Sequence, residues 1–464
     1  MSADYAAYDA VGLADLVARG EVSPSELLDA AIAQVERLNP ALNAVVHKHY
    51  DLARAAIAAG LPLGRFRGVP FLLKDLDLSW RGAALTEGSR LMMGHAPDFD
   101  STLVARHKAA GLVLLGRTNS AELGLSFTTE PRAFGPTRNP RDPRLSAGGS
   151  SGGAAAAVAS GMVPMAHATD GGGSIRQPAA LNGLFGLKPS RGRTPPGPEK
   201  SDVFFGIALS HAITRSVRDS AALLDATLGH EPGAIFTPPD PTMAYEHSVE
   251  RDPPRLRIAI QRRPFNGAEV EPVCLNALEE AARLCESMGH IVDDDAPDFS
   301  DVGLGDALGL LSAAYTADRV ATFAARHGIA DALSLIEPGH AAALRSRVNR
   351  PATEIVAALE IAREIGRRYA RYFEGHDMIV SPVTATAELP LGWLASDAAD
   401  FEEIGRRSGG HAPFTAPYNA AGTPAMSVPF AQDGKPVGVQ FAAAFGREDL
   451  LFELAGAIER ARPW

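Results

Sequence analysis

Between Arg144 and Gly183 the chain reads RLSAGGSSGGAAAAVASGMVPMAHATDGGGSIRQPAALNG. Two glycine clusters, each wrapped around serine, bracket an alanine-rich helix pattern (Ala154–Ala159) and an apolar run (Val163–Asp170). A flexible Gly/Ser linker would join independent units and carry no regular elements. Here the glycines punctuate a helix and a strand, so they belong to a folded core in which backbone must come close to something.

The alternation extends along the chain. Ser23-Pro24-Ser25-Glu26 opens a helix, with Ser23 as N-cap, Pro24 at the first helical position and Glu26 completing a capping box. Leu28, Ala31, Ile32 and Val35 follow at helical spacing, and Asn39-Pro40 is expected to end the run. GVPFLLKDLDL (Gly68–Leu78) begins as a buried strand that ends, unusually, in Lys74. Ser101 caps another helix, and GLVLLG (Gly111–Gly116) is the next strand. Gly192–Arg255 is rich in proline and polar residues and is expected to hold many loops, and Cys274–Arg371 reads as mostly helical. Asp377–Ala387 and Ala425–Phe430 return to strand. Arg447–Arg462 closes the chain as an amphipathic helix with Leu450, Leu451, Leu454 and Ile458 on one side. Helices alternating with short apolar strands predict an α/β fold built on a largely buried sheet.

Composition excludes several function classes. The formal net charge is -11 and no basic run occurs, so binding to nucleic acid or an anionic membrane is not expected. Cys274 and Cys285 lie in one helix-like stretch, which is no metal pattern and too little for a disulfide framework; they read as buried free thiols in a reducing cytoplasm. The N-terminal stretch lacks a basic start followed by an apolar core, so it does not read as a signal peptide. No run of about 18 apolar residues predicts a membrane span.

Three chemistries compete for the glycine clusters. A glycine-rich loop at a helix N-terminus can cradle phosphate. The Gly-Lys-Ser/Thr of a P-loop is absent, however, and the distal acid of a dinucleotide fingerprint is not evident. Gly148-x-Ser150-x-Gly152 formally matches a nucleophile elbow, but that motif should follow a strand directly, and NPRDPRLSAGG is a turn-rich loop. No pattern selects a base for it among His211, His247, His340 and His411. The remaining reading joins both clusters with Lys74 into one device.

GGSSGGAAAAVASG, ATDGGGSIRQPAALNGLFGLKP and the upstream GVPFLLKD together resemble the amidase signature family. The separations of Lys74 from Ser150 and of Ser150 from Ser174 match that family. GRTNSAELGLSF, FGPTRNPRDP, YNAAGTPAMSVPF, GKPVGVQF and REDLLFELAGAIE follow its order too, so the likeness runs from about Ala10 to Arg462. The resemblance implies a single amidase domain over 1–464, a twisted mixed β-sheet covered by helices on both faces. Within it the catalytic core would span about 65–190, a substrate-shaping helical and loop region about 192–371, and closing strands and helix 377–462. It implies hydrolysis of a carboxylic amide bond, with carbamates and esters as further candidates. Ser174 would be the nucleophile, Ser150, after a cis peptide, the proton relay, and Lys74 the base. No metal and no cofactor are implied; the partner is a small-molecule amide, and homo-oligomerisation stays open.

The implied roles are physically coherent. A serine hydroxyl is inert until something takes its proton. A lysine can do so only when neutral, which burial favours by penalising the ammonium. A second serine can pass the proton because a hydroxyl both donates and accepts. The N–H groups of Gly171, Gly172, Gly173 and Ser174 are the candidate oxyanion donors, since side chains would obstruct that approach. Gly171 departs from the family, which usually has a β-branched residue there, and resembles the variant of nylon-oligomer hydrolases. Asp170 and Arg176 read as an ion pair holding the loop, with Ser151 as a further supporting residue. Gly124 and Leu125 match a pocket-lining position, and Ser201–Ser210 and Leu308–Phe323 are expected to shape the rest. The rival within the family is the glutamine-hydrolysing subunit of a tRNA amidotransferase. That subunit has an acid before its F-T-x-P-x-N segment, where HAPFTAPYN offers Ala412.

Overall fold

Strand side chains alternate between the two faces of a sheet, and in the inner strands here both sets are largely buried. In the computed structural model, which describes residues 5–396 and 400–464, eleven strands form one mixed sheet among the described residues. They are β1 (Val45–Lys48), β2 (Pro70–Lys74), β3 (Val113–Thr118), β4 (Met165–Asp170), β5 (Phe185–Lys188) and β6 (Leu209–Thr214), then β7 (Arg257–Ile260), β8 (Ile291–Asp293), β9 (Met378–Pro382), β10 (Ala425–Pro429) and β11 (Gly438–Ala443). Their order is β1-β3-β2-β4-β6-β5-β10-β11-β9-β7-β8. β2 runs parallel to β3 and β4, whereas β4, β6, β5, β10, β11 and β9 are successively antiparallel.

The alternation separates two cores. Ile258, Ile260, Met378, Val380, Met426, Val428, Val439 and Phe441 pack with the helices Pro272–Ser287 and Glu448–Ala461. Their neighbours Ala259, Ile379, Ala425 and Ala442 point the other way, onto Ile365, Tyr369 and Tyr418 of the helices Ala352–Tyr372 and Ala416–Ala421. Phe71, Leu72, Leu73 and Val113 belong to a third cluster, with the helices Pro24–Leu42 and Gly152–Ala159. The expected α/β fold with helices on both faces is therefore what the chain adopts.

The capping box at Ser23 and Glu26 forms, and the Ser101 hydroxyl accepts from Val104 N–H. Cys274 and Cys285 are free and buried. The closing helix buries Leu450, Leu451, Leu454 and Ile458. One expectation is corrected. The helix that opens at Pro24 does not stop at Asn39-Pro40 but continues to Leu42. Pro40 lies in the last turn, where its missing N–H removes little. The Asn39 amide oxygen instead accepts from Ala44 and Val45 N–H at 2.8 and 2.7 Å, turning the chain into β1. Besides its many loops, the proline-rich stretch Gly192–Arg255 holds β6, in the middle of the sheet, and the helices Val217–Thr227 and Tyr245–Val249. No helix among the described residues is long and apolar enough to cross a membrane. Residues 1–4, part of the stretch read against a signal peptide, lie outside the described residues.

Candidate active site

Lys74 ends β2 with its side chain wholly buried. An ammonium there needs partners, and no carboxylate lies within 4 Å of it among the described residues. Its Nζ donates instead to Ser150 Oγ at 2.7 Å, Thr169 Oγ1 at 2.8 Å and Ser151 Oγ at 2.9 Å. Burial, opposed by the carboxylates of Asp77, Asp170 and Glu87, brings the amine down to about 7. Three hydroxyls suit both of its protonation states, because each can accept from an ammonium or turn and donate to an amine.

The first glycine cluster is held from two sides. The Gly149–Ser150 peptide is cis, and Gly149 N–H donates to Gln177 Oε1 at 2.9 Å. A Cβ on Gly149 would lie 2.6 Å from the Thr128 carbonyl carbon, so only glycine fits beneath that backbone. The Gln177 side chain also donates to Phe127 O and meets His411 Nε2, which ties the first cluster to the helix that follows the second.

That second cluster hangs on Asp170 and Arg176. The guanidinium grips the carboxylate through Nε and Nη2, both at 2.9 Å, and both side chains are fully buried. Arg176 also donates to Thr415 O, Gln440 Oε1 and Asn419 Oδ1. The motifs that close the chain, YNAAGTP and GKPVGVQF, thus serve as the far wall of this anchor. Arg176, Lys188 and the Asn419 amide hold the Asp170 carboxyl well below its usual range against burial. Arg176→Met is expected to destabilise the fold by about 3–5 kcal/mol, since it leaves Asp170 buried and unpaired; thermal and denaturant unfolding measure this.

Asp170 Oδ1 also accepts Gly173 N–H, at 2.7 Å. Of the four expected oxyanion donors, Gly173 is therefore already engaged. The N–H groups of Gly171, Gly172 and Ser174 have no partner among the described residues. Gly173 has φ +135°, and a Cβ there would sit 2.8 Å from Thr415 Cβ. This glycine-only conformation immediately precedes Ser174, which lines the cavity. The Ser174 hydroxyl makes no hydrogen bond among the described residues, so its link to Ser150 is open in this structure.

Ser150, Ser174, Gly171 and Gly172 line one cavity of about 350 Å³. Gly124 and Leu125 line it as expected, as do Val203, Phe204 and Ala208 from the loop before β6 and Leu308, Ser312, Tyr315, Thr316 and Arg319 from the helix Leu304–His327. The two glycine clusters are two walls of the same space. Thr169 was missed by the sequence reading, where it passes for a β-branched strand residue.

No histidine among the described residues hydrogen-bonds Ser150 or Ser174, so the elbow reading lacks its base. His411 is held by Gln177 and Thr386, His211 by Ser220 and His340 by Glu122. The structure also gathers Glu122, Glu337 and His340 into one buried group that no sequence pattern indicated. Its lone pairs are engaged by protein donors: Glu122 accepts from Ser89 Oγ, Glu337 N and His340 Nδ1, and Glu337 accepts from Arg132 N. The group fastens the pocket-lining turn Glu122–Gly124 to the helix Pro338–Arg347.

Comparison with known proteins gives the family and the fold. The family model described as Amidase matches residues 26–452. The 6-aminohexanoate-cyclic-dimer hydrolase of Paenarthrobacter ureafaciens is 39% identical over 98% of this chain and 95% of its own. A solved structure of 6-aminohexanoate cyclic dimer hydrolase superposes with a TM-score of 0.92 at 35% identity, covering 98% of this chain and 97% of that one. A bacterial aryl acylamidase of the amidase signature family superposes with a TM-score of 0.87 at 29% identity, covering 98% and 96%.

Proposed function

The chain belongs to the amidase family and hydrolyses amide C–N bonds, and on that premise we propose that it does so through an acyl-enzyme on Ser174, with Ser150 and Lys74 as the proton relay. The observation that carries the reading is the buried amine of Lys74 within 2.7 Å of Ser150 Oγ, beside a serine that faces the cavity. Ser174 Oγ attacks the carbonyl carbon, and its proton passes to Ser150, whose own proton passes to Lys74. Negative charge develops on the carbonyl oxygen, where the N–H groups of Gly171, Gly172 and Ser174 receive it. The relay runs backward to protonate the leaving amine as the C–N bond breaks. Water then attacks the ester, giving up a proton along the same path; the bond to Ser174 Oγ breaks, the relay returns the proton to that oxygen, and the carboxylic acid leaves.

The walls support a substrate class. Leu76, Leu123, Leu125, Phe127, Phe204 and Leu308 make the cavity mostly apolar, and the glycines at 124, 171 and 172 leave it wide. A small amide with an aliphatic acyl chain fits it, and likeness to the hydrolases of 6-aminohexanoate cyclic dimer supports an oligoamide. Ala412, where the amidotransferase subunit has its acid, is buried and uncharged, which leaves that rival without a ligand for the glutamine amino group. Parallel assays on linear, aryl and cyclic oligoamides, carbamates and esters test the proposal. Hydrolysis of aliphatic amides is the expected result, and turnover of glutamine alone would refute the substrate reading.

Two outcomes follow for the free enzyme. Lys74 must be neutral to accept a proton, so kcat/KM should rise with pH through an acid limb near 7 and then level off. A profile flat from pH 6 to about 9 contradicts the assignment. A Cβ added to Gly171 would meet Ala208 Cβ at 3.4 Å and Phe204 Cδ1 at 3.6 Å, ordinary contacts. Gly171→Ala should therefore be mild. Gly171→Ile, whose branches press on Phe204, should cost about tenfold or more in kcat/KM for bulky acyl groups and less for acetyl amides.

A further inference from the structure

Asp77 lines the same cavity as Ser150 and Thr169, the two hydroxyls nearest the Lys74 amine; together with Asp170 and Glu87 it opposes the effect of burial on that amine, and each of the three carboxylates is paired with a cation. Asp170 has Arg176. Asp77 accepts from Lys200 Nζ at 3.1 Å, with Arg319 at 3.5 Å on the same oxygen. Glu87 is gripped by both of its oxygens by Arg319. Asp77 and Glu87 sit on the chain that follows β2, whereas Lys200 comes from the loop after β5 and Arg319 from the helix Leu304–His327, which lines the substrate cavity. The side chains of Asp77, Glu87 and Arg319 are 11%, 5% and 14% exposed, so their charges are weakly screened. Arg319 also lies 5.5 Å over the Tyr315 ring, which fixes its position.

The other charged or titratable groups around Lys74 are accounted for. From β3, Arg117 donates to the Lys74 and Leu78 carbonyls. Asp75 accepts from Thr86 and Gly88 N–H and faces His47 at 3.6 Å. From β4, His167 takes the Lys74 N–H on Nδ1, and burial keeps its ring neutral. Asp77 and Glu87 are thus the carboxylates whose compensation depends on segments far from the catalytic motifs.

We propose that Lys200 and Arg319 are positioning residues for the hydrolysis: by clamping Asp77 and Glu87 they remove uncompensated negative charge from around Lys74 and so keep its amine in the form that takes a proton. The inference rests on the relay proposed above. Its physical basis is pairwise. A carboxylate favours the ammonium, a cation beside that carboxylate cancels most of the effect at Lys74, and burial is then left unopposed.

The test is the pH dependence of kcat/KM on one amide substrate for Lys200→Met, Arg319→Gln and two charge-balanced doubles, Asp77→Asn with Lys200→Met and Glu87→Gln with Arg319→Gln. Each single variant should move the acid limb upward by roughly half a pH unit to one unit, and each double should bring it back toward the wild-type position. A merely structural role would lower the plateau and leave the limb in place, which overturns the proposal. So does a limb that moves in the singles and is not restored in the doubles. Should Arg319→Gln fail to fold, the Lys200 pair decides, since Lys200 is one-third exposed on a loop. The residual activity of Lys74→Ala separates the two claims. If it keeps the wild-type limb, the relay is wrong; if it loses the limb while Lys200→Met does not shift it, only the clamp is wrong.

Discussion

Ser174→Ala is expected to lower turnover by on the order of 10⁴-fold or more and to abolish covalent labelling by a fluorophosphonate. The fold should not notice. The Ser174 side chain is 5% exposed at the cavity wall and makes no hydrogen bond among the described residues, so the substitution removes a hydroxyl that nothing structural uses. Its stability should stay within about 0.5 kcal/mol of wild type. That pairing of full inactivity with an unchanged melting temperature separates a nucleophile from a structural serine. Ser151, by contrast, accepts from Lys74 and donates to Thr169 O at 3.2 Å, so Ser151→Ala should cost stability and reduce rather than abolish activity.

Lys74→Ala and Ser150→Ala should each reduce kcat by about 10²–10⁴, the range for groups that move protons in the transition state. The double variant should be little worse than the worse single one, because removing either member breaks the same path. Lys74→Ala also empties a buried site and orphans the Ser150 and Thr169 hydroxyls. Lys74→Met, which keeps most of the volume, is therefore the cleaner probe of the base. A double variant that multiplies the single losses would mean that the two groups act independently, and the relay would have to be abandoned.

The proposed relay was legible through the family resemblance of GVPFLLKD, GGSSGG and ATDGGGS. A lysine ending an apolar strand pattern and two serine-bearing glycine clusters raise the question, but their residue types alone assign no roles. The pairing of Asp170 with Arg176 was also readable, since both flank the same loop. The engagement of Gly173 N–H by Asp170 has a local signal that went unread: an aspartate readily accepts from backbone a few residues further on. Other parts had no local signal at all. Thr169 looks like any strand threonine until Lys74 is placed beside it. Asn419 and Gln440 are polar residues in apolar motifs, and their reason is a guanidinium more than 200 residues away in sequence. Glu87 and Arg319 meet only because the helix Leu304–His327 brings Arg319 to the chain that follows β2. β6 was hidden because its six residues are embedded in a proline-rich stretch, where composition outweighs a short alternating pattern. Pro40 misled because a proline ends a helix pattern less firmly in the last turn than in the interior.

The claim that Ser174 carries the acyl group is tested most directly by locating the bond. The protein would be stopped in the steady state with a slow aryl ester or labelled with a fluorophosphonate, digested, and mapped by peptide mass spectrometry. The account predicts one equivalent of adduct, on Ser174, appearing faster as pH rises through 7 and very slowly in Lys74→Met. An adduct on Ser150 or Ser151, or adduct on Ser174 at an undiminished rate in Lys74→Met, would contradict it.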